Sequence, residues 1–471
     1  MKTKIGINGF GRIGRNAFKI AFERDDLEIS AVNDLSDTKT LAHLLKHDSN
    51  YGAYQHEVSF DEQNIIVNGQ KIRVLAEKDP ASLPWRDLGV EVVIESTGLF
   101  VDPAKAKAHV DAGAKKVIIS APAKGDGADT IVIGVNEDKT AESTDVISNA
   151  SCTTNCITPV MAILESEFGI AKAMMTTVHS YTASQRLQDA PAKDLREARN
   201  AATNIVPTTT GASIAAAKAM PALENIFGGM SVRVPTPVVS LSDFAVVTKR
   251  DVTVEEVNAA FKKAAANPYF QGILDVTEEE LVSSDFIGNS HSAIVDLKLT
   301  AVVGGNLVKV VAWYDNEWGY SNRLVELTAD VGKLLQQNQP EEEPAYKEHH
   351  KQDEEGQDGD DKKEPQQQEG HSHPDVPPDL NEPPDEPLLP APEPYTEKTQ
   401  ESLEHIDKEG EAAPEPAEDS DKSAGGENSG NIGYIIGGDD PKDEDSDNSD
   451  KPGGQHPLPP DATNIDGVHR F

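Results

Sequence analysis

The sequence predicts an α/β chain: a doubly wound, mostly parallel sheet, then an α+β part with a mostly antiparallel sheet, then a disordered tail. Three observations carry this. Over the first 150 residues, short apolar runs alternate with helical spacings, the mark of βαβ units. Beyond Gly169 the rhythm changes to longer alternating runs. From residue 338 onward the chain turns acidic and rich in proline.

In order along the chain, Lys4–Asn8, Glu28–Leu35, Val90–Thr97 and Lys116–Ala121 read as strands, and Arg15–Glu23 as a helix. Val146–Asn149 is a further short strand. The apolar spacing of Cys152–Phe168 predicts a helix stopped at Gly169. Ala173–Val178, Val238–Thr248, Ala293–Val303 and Leu307–Tyr314 follow as strands, with Gly304-Gly305-Asn306 as a hairpin turn. Val254–Ala265 and Asn322–Gln337 are helical patterns. The expected division is 1–150, completed by a returning helix over 318–337, then 151–317, then the tail over 338–471.

The tail holds 38 of the 81 acidic residues, 10 of the 43 basic ones and 19 of the 30 prolines, so it accounts for −28 of the net charge of −38. With so few apolar residues it cannot offset the entropy of ordering, which predicts disorder. It reads either as a solvated appendage or as a tether for a basic partner or metal ions, and its charge disfavours nucleic acid. Met1–Asn8 has no apolar signal core, and no apolar run approaches the roughly 18 residues of a membrane span. A cytoplasmic chain without membrane contact is the expectation.

Gly9-Phe10-Gly11-Arg12-Ile13-Gly14 follows a strand and opens a helix, which is the context of a Rossmann-type dinucleotide site. Glycines there permit a tight turn, close approach of a pyrophosphate and close helix packing. Asp34 ends the second strand 20 residues after Gly14, where an acid would bond the ribose hydroxyls and repel a 2′-phosphate, favouring NAD over NADP.

The two cysteines, Cys152 and Cys156, lie one helical turn apart. Chemistry is favoured over a disulfide framework, and no metal is expected, since two thiols without further ligands make half a site. Cys152 falls at a helix N-terminus, where the dipole and unpaired N–H groups are expected to lower its pKa and make it a nucleophile. Cys156, a turn inside, reads as a small buried residue. His179, after a strand-like run, is the base the thiol would need, although their contact cannot be read from spacing.

Asn8–Arg15, Ala150–Cys156, His179-Ser180-Tyr181-Thr182, Arg233-Val234-Pro235-Thr236-Pro237 and Trp313–Tyr320 together resemble the phosphorylating glyceraldehyde-3-phosphate dehydrogenases, in that family's order, over residues 2–337. The resemblance implies oxidation of D-glyceraldehyde 3-phosphate to 1,3-bisphosphoglycerate with NAD in glycolysis and gluconeogenesis, through a thiohemiacetal and thioester on Cys152, with His179 as base. It assigns Thr182 and Arg233 to the substrate phosphate. Ser151, Thr153, Thr210 and Gly211 are assigned to inorganic phosphate. Gly9, Gly11, Arg12, Ile13, Gly14, Asp34, Thr97, Ser120, Asn316 and Tyr320 are assigned to the cofactor. It also implies a homotetramer in which the loop 183–202 reaches a neighbour's cofactor.

Two departures from the family pattern stand out. Ser184 replaces an Asp common in bacterial relatives, and Ala190-Pro191 stands where Leu-Pro is frequent, which leaves room for a 2′-phosphate and keeps dual cofactor use open. The tail has no cysteine, so the redox switch of plastid relatives cannot operate in it. Erythrose 4-phosphate is an alternative substrate for the same chemistry, and a scaffold displaying the tail is an alternative of another class.

Overall fold

The computed structural model describes residues 2–337. The expectations for 338–471, disorder and partners included, lie outside the described residues. Among these, the first sheet has the order Asp129–Thr130, Val146–Ser148, Lys116–Ile119, Val92–Glu95, Thr3–Asn8, Leu27–Asn33, Gln70–Leu75, Asn64–Val67, Val58–Phe60. The pairings from Asp129–Thr130 through Gln70–Leu75 are parallel, and the last two are antiparallel. Ile5, Ile7, Val92, Val93, Ile94, Val117 and Ile118 are fully buried, as expected for strands covered on both faces.

From Thr3–Asn8 the chain steps outward to Leu27–Asn33 and Gln70–Leu75, then returns to Val92–Glu95 on the opposite flank. That reversal makes a crevice at the carboxyl ends of Thr3–Asn8 and Val92–Glu95, where open α/β sheets bind their ligands. The helix Arg12–Phe22 starts at this crevice. The helix Trp318–Gln337 buries Leu324, Val325, Leu327 and Val331 in the same core as Ile5 and Ile7.

The second sheet runs Val206–Thr208, Phe227–Val234, Ile170–Ser180, Ser240–Thr248, Leu307–Tyr314, Ala293–Asp296, Leu274–Thr277. Most neighbours are antiparallel, but Ile170–Ser180 pairs in parallel with Phe227–Val234, and Leu274–Thr277 with Ala293–Asp296. The expected long strand over 293–303 is broken. Asp296 turns its carboxylate onto the Lys298 N–H at 3.2 Å and caps a 3₁₀ turn, Leu297–Leu299, before Ala301–Val303 resumes pairing. A short acidic side chain competing for backbone donors ends the ladder there. The helices Cys152–Phe168 and Val254–Ala265 fall where the spacing predicts them. Cys156, Val160 and Leu164 pack with Phe244, Val246, Val308 and Val310, which seats the first helix on this sheet.

Gly332 tests the docking of the last helix. A Cβ there would lie 2.2 Å from Thr3 Oγ1 and 2.5 Å from its Cγ2, and a short β-branched side chain has nowhere to move. Alanine normally favours a helix interior by about 1 kcal/mol over glycine. Gly332→Ala is nevertheless expected to destabilise by about 1–3 kcal/mol through overpacking, measured by denaturant or thermal unfolding.

Candidate active site

The glycine loop has the shape its sequence implies. Gly9 takes φ +91°, and a Cβ on it would sit 2.6 Å from the Thr97 nitrogen. A Cβ on Gly14 would meet the Gly9 carbonyl at 2.0 Å, whereas one on Gly11 meets nothing within 4 Å. Gly11 is also the N-cap of Arg12–Phe22, and no side chain caps that helix. Unclaimed N–H groups facing open space are what a pyrophosphate needs, so the residues present fit the dinucleotide. Asp34 closes the loop from the next strand, accepting from the Phe10 N–H at 2.9 Å and the Ser36 N–H at 3.0 Å.

A cavity of about 520 Å³ adjoins the loop. Arg12, Ile13, Ser120, Asn316 and Tyr320 line it from the cofactor set, and Ser151, Cys152, Thr153, His179, Thr182, Thr210, Gly211 and Arg233 from the catalytic and phosphate sets. Two expected cofactor contacts are engaged elsewhere. The Arg12 guanidinium is held by Glu317, with Nε at 2.9 and 3.0 Å, and by Asp48 at 2.7 Å. The Thr97 hydroxyl is shared between Glu95 and the Leu99 N–H, and Ser96 reaches the cavity in its place.

Cys152 is the first residue of its helix. Ser151, with β-region backbone, caps that helix by accepting from the Thr154 N–H at 3.1 Å, and Ala150 just before it is held at φ +53°. Cys152 Sγ lies 3.5 Å from His179 Nε2. The other ring nitrogen, Nδ1, is 2.7 Å from the Ser180 carbonyl, which can only accept. Nδ1 therefore carries the proton, and the Nε2 lone pair faces the thiol. Strand register places His179 directly abreast of Arg233. The Arg233 guanidinium reaches the Ser180 carbonyl only at 3.4 Å, and its buried Nε has no partner among the described residues, so the fork is available to an anion.

The electrostatics correct the simple helix-dipole expectation for the thiol. Burial pushes the Cys152 thiol up, while the Arg233 charge and hydrogen bonding from Thr153 pull it down less strongly. Burial and then Arg233 push His179 down to about 3, so its imidazole is neutral at physiological pH and can act as a base. Cys156 is buried, with its thiol pushed well up, which keeps it protonated and inert.

Sequence reasoning assigned no role to Tyr314, Ser180 or Ser240, which hold these groups. Asn316 Oδ1 accepts from Ser180 Oγ at 2.9 Å and Ser240 Oγ at 3.2 Å, leaving the amide N–H groups as its donors toward the cavity. Tyr314 Oη bridges Thr153 Oγ1 at 3.0 Å and Thr177 Oγ1 at 2.8 Å, with its ring edge-on to His179. Tyr320 Oη donates to the Ala150 carbonyl at 3.1 Å. Ser184, the departure from pattern, bonds Thr182 hydroxyl to hydroxyl at 3.0 Å.

The family description "Glyceraldehyde 3-phosphate dehydrogenase, NAD binding domain" matches residues 3–103, and its "C-terminal domain" counterpart matches residues 151–316. The chain is 55% identical over 337 residues to a glyceraldehyde-3-phosphate dehydrogenase of Streptomyces coelicolor, covering 71% of this chain and 100% of that protein. It is 55% identical over 332 residues to that of Geobacillus stearothermophilus, at 70% and 98% coverage. Against glyceraldehyde-3-phosphate dehydrogenase 1 of Bacillus subtilis it is 54% identical over 334 residues, at 71% and 99%.

Replacing Arg233 by Gln tests the charge balance at the thiol. Without the cation the thiolate loses a stabilising neighbour, so the thiol pKa rises, and the imidazolium is no longer repelled, so His179 moves up from about 3. The pH profile of iodoacetamide alkylation at Cys152 is expected to shift to higher pH in Arg233→Gln. An unchanged or lower midpoint contradicts it.

Proposed function

The chain belongs to the glyceraldehyde-3-phosphate dehydrogenase family, and on that premise we propose that Cys152, His179 and Arg233 form its reaction centre. The enzyme is an NAD-dependent oxidoreductase that oxidises glyceraldehyde 3-phosphate, with inorganic phosphate as co-substrate. The observation that carries the assignment is the thiol 3.5 Å from an imidazole whose free lone pair faces it.

His179 Nε2 takes the thiol proton as Sγ attacks the aldehyde carbon, then returns it to the nascent alkoxide of a thiohemiacetal. Bound NAD supplies the hydride acceptor. His179 takes the hydroxyl proton back as the thiohemiacetal carbon is oxidised, and a thioester remains on Cys152. Phosphate oxygen then attacks the thioester carbon and Cys152 leaves as thiolate, giving the acyl phosphate. Arg233 and Thr182 hold the substrate phosphate by fork and hydroxyl. Ser151, Thr153, Thr210 and Gly211 hold the attacking phosphate. Asn316, clamped by Ser180 and Ser240, presents its amide N–H groups to the nicotinamide carboxamide. Asp34 bonds the ribose, and the glycine loop binds the pyrophosphate.

Residues 1–150 with the helix 318–337 form the cofactor-binding domain in this reading, and 151–317 the catalytic domain. A homotetramer and a cytoplasmic location, both usual in the family, belong to the same proposal. Leu187 and Leu195 on the loop 183–202 are 72% and 82% exposed, the apolar surface a neighbouring subunit would cover. A reducing compartment keeps the nucleophilic thiol free. No helix among the described residues is long and apolar enough to cross a membrane.

Cys152→Ser is expected to lose phosphate-dependent NADH formation, and His179→Asn to retain it with kcat lower by roughly 10²–10⁴. Assays with NAD and NADP, with and without phosphate, and with triose and tetrose phosphates check the reading. Full turnover by Cys152→Ser contradicts it.

A further inference from the structure

We propose that Glu95 is a positioning residue for the cofactor site, pinning the 96–98 turn against the glycine loop, with His109 holding the Glu95 carboxylate in place. The inference rests on reading Gly9–Gly14 and Asp34 as the dinucleotide site. Glu95 and His109 are 2% and 0% exposed, and the reaction scheme uses neither.

The geometry is specific. Glu95 ends its strand beside Asn8, its register partner at the end of the neighbouring parallel strand. One carboxylate oxygen, Oε1, accepts from the Thr97 N–H at 2.8 Å and from the Thr97 hydroxyl. The other, Oε2, accepts from His109 Nε2 at 3.0 Å and from the Asn8 amide. Trp85 Nε1, which can only donate, lies 3.0 Å from His109 Nδ1. His109 therefore carries its proton on Nε2 and donates it to Glu95. Asn8 Oδ1 in turn accepts from Asn33 at 2.7 Å, and Asn33 Oδ1 from the Glu77 N–H at 2.9 Å. One buried network thus ties Thr3–Asn8, Leu27–Asn33, Val92–Glu95 and the helical turn carrying His109 directly beneath the crevice.

The turn that Glu95 holds touches the glycine loop. A Cβ on Gly9 would lie 2.8 Å from both the Ser96 carbonyl carbon and Thr97 Cα. Ser96 Oγ donates to the Gly9 carbonyl at 2.7 Å. If Thr97 is released, the wall that fixes Gly9 moves, and with it the N–H groups that face the pyrophosphate. The Cys152–His179 pair does not depend on this network.

The test is NAD affinity against chemistry, measured on the full-length chain. Glu95→Gln places an amide donor against donors. It is expected to raise the Kd and KM for NAD about tenfold, as leaving one buried donor unpaired implies. At saturating NAD, kcat is expected to be unchanged. His109→Gln, whose amide nitrogen can replace the Nε2–H donor, is expected to keep NAD affinity, and His109→Leu to lose it as Glu95→Gln does. A purely structural role would lower Tm without separating KM from kcat or Gln from Leu at 109. Asp34→Ala isolates the underlying reading: if it weakens NAD binding while Glu95→Gln and His109→Leu bind NAD as wild type does, the positioning role is overturned and the dinucleotide site stands. If Asp34→Ala also binds normally, the dinucleotide reading itself fails. Should Glu95→Gln not fold, the His109 pair decides.

Discussion

The approach of Cys152 Sγ to His179 Nε2 is the contact on which the rest of the structure depends. It joins the first residue of a helix to the far end of a strand, so both must be fixed to within a fraction of an ångström. The helix start is fixed by the Ser151 cap and by burial of Cys156, Val160 and Leu164 on the second sheet. The strand end is fixed by its place between two long neighbours, Phe227–Val234 and Ser240–Thr248. A nucleophile on a helix and a base on a strand, each locked by a packed core, need little reorganisation when the substrate arrives.

Arg233 serves two purposes through one charge. Strand register puts it beside His179, where it lines the cavity with its Nε unpartnered among the described residues and is suited to a phosphate. The same charge opposes protonation of His179 and favours the thiolate of Cys152. The substrate's anionic end and the reacting pair are therefore electrostatically coupled: an anion arriving at Arg233 offsets the cation that both titrating groups feel.

Much of this was legible in the sequence because it is local. The glycine loop, the helix from Cys152 to its Gly169 stop and the hairpin at Gly304-Gly305 each follow from a few adjacent residues with restricted backbone choices. The break at Asp296 was not legible, since an aspartate inside an apolar run signals a cap only once the Lys298 N–H turns to meet it. Residues that act through register or through the opposite domain were also out of reach. No spacing rule relates His179 to Arg233, or Ser180 and Ser240 to Asn316. The helix start at Cys152 was visible in the sequence, but the desolvation by its neighbours that opposes a fall in its pKa was not. Thr97 and Arg12 were expected to contact the cofactor, but their side chains answer to Glu95 and Glu317.

A single-turnover experiment without inorganic phosphate tests the central claim most directly. Enzyme, NAD and glyceraldehyde 3-phosphate are mixed, NADH is followed, and the peptide carrying Cys152 is weighed. The account predicts a burst of one NADH per active site, a phosphoglyceroyl adduct on Cys152, and its release when phosphate is added. An acyl adduct on another residue, or a burst that survives alkylation of Cys152, would contradict it.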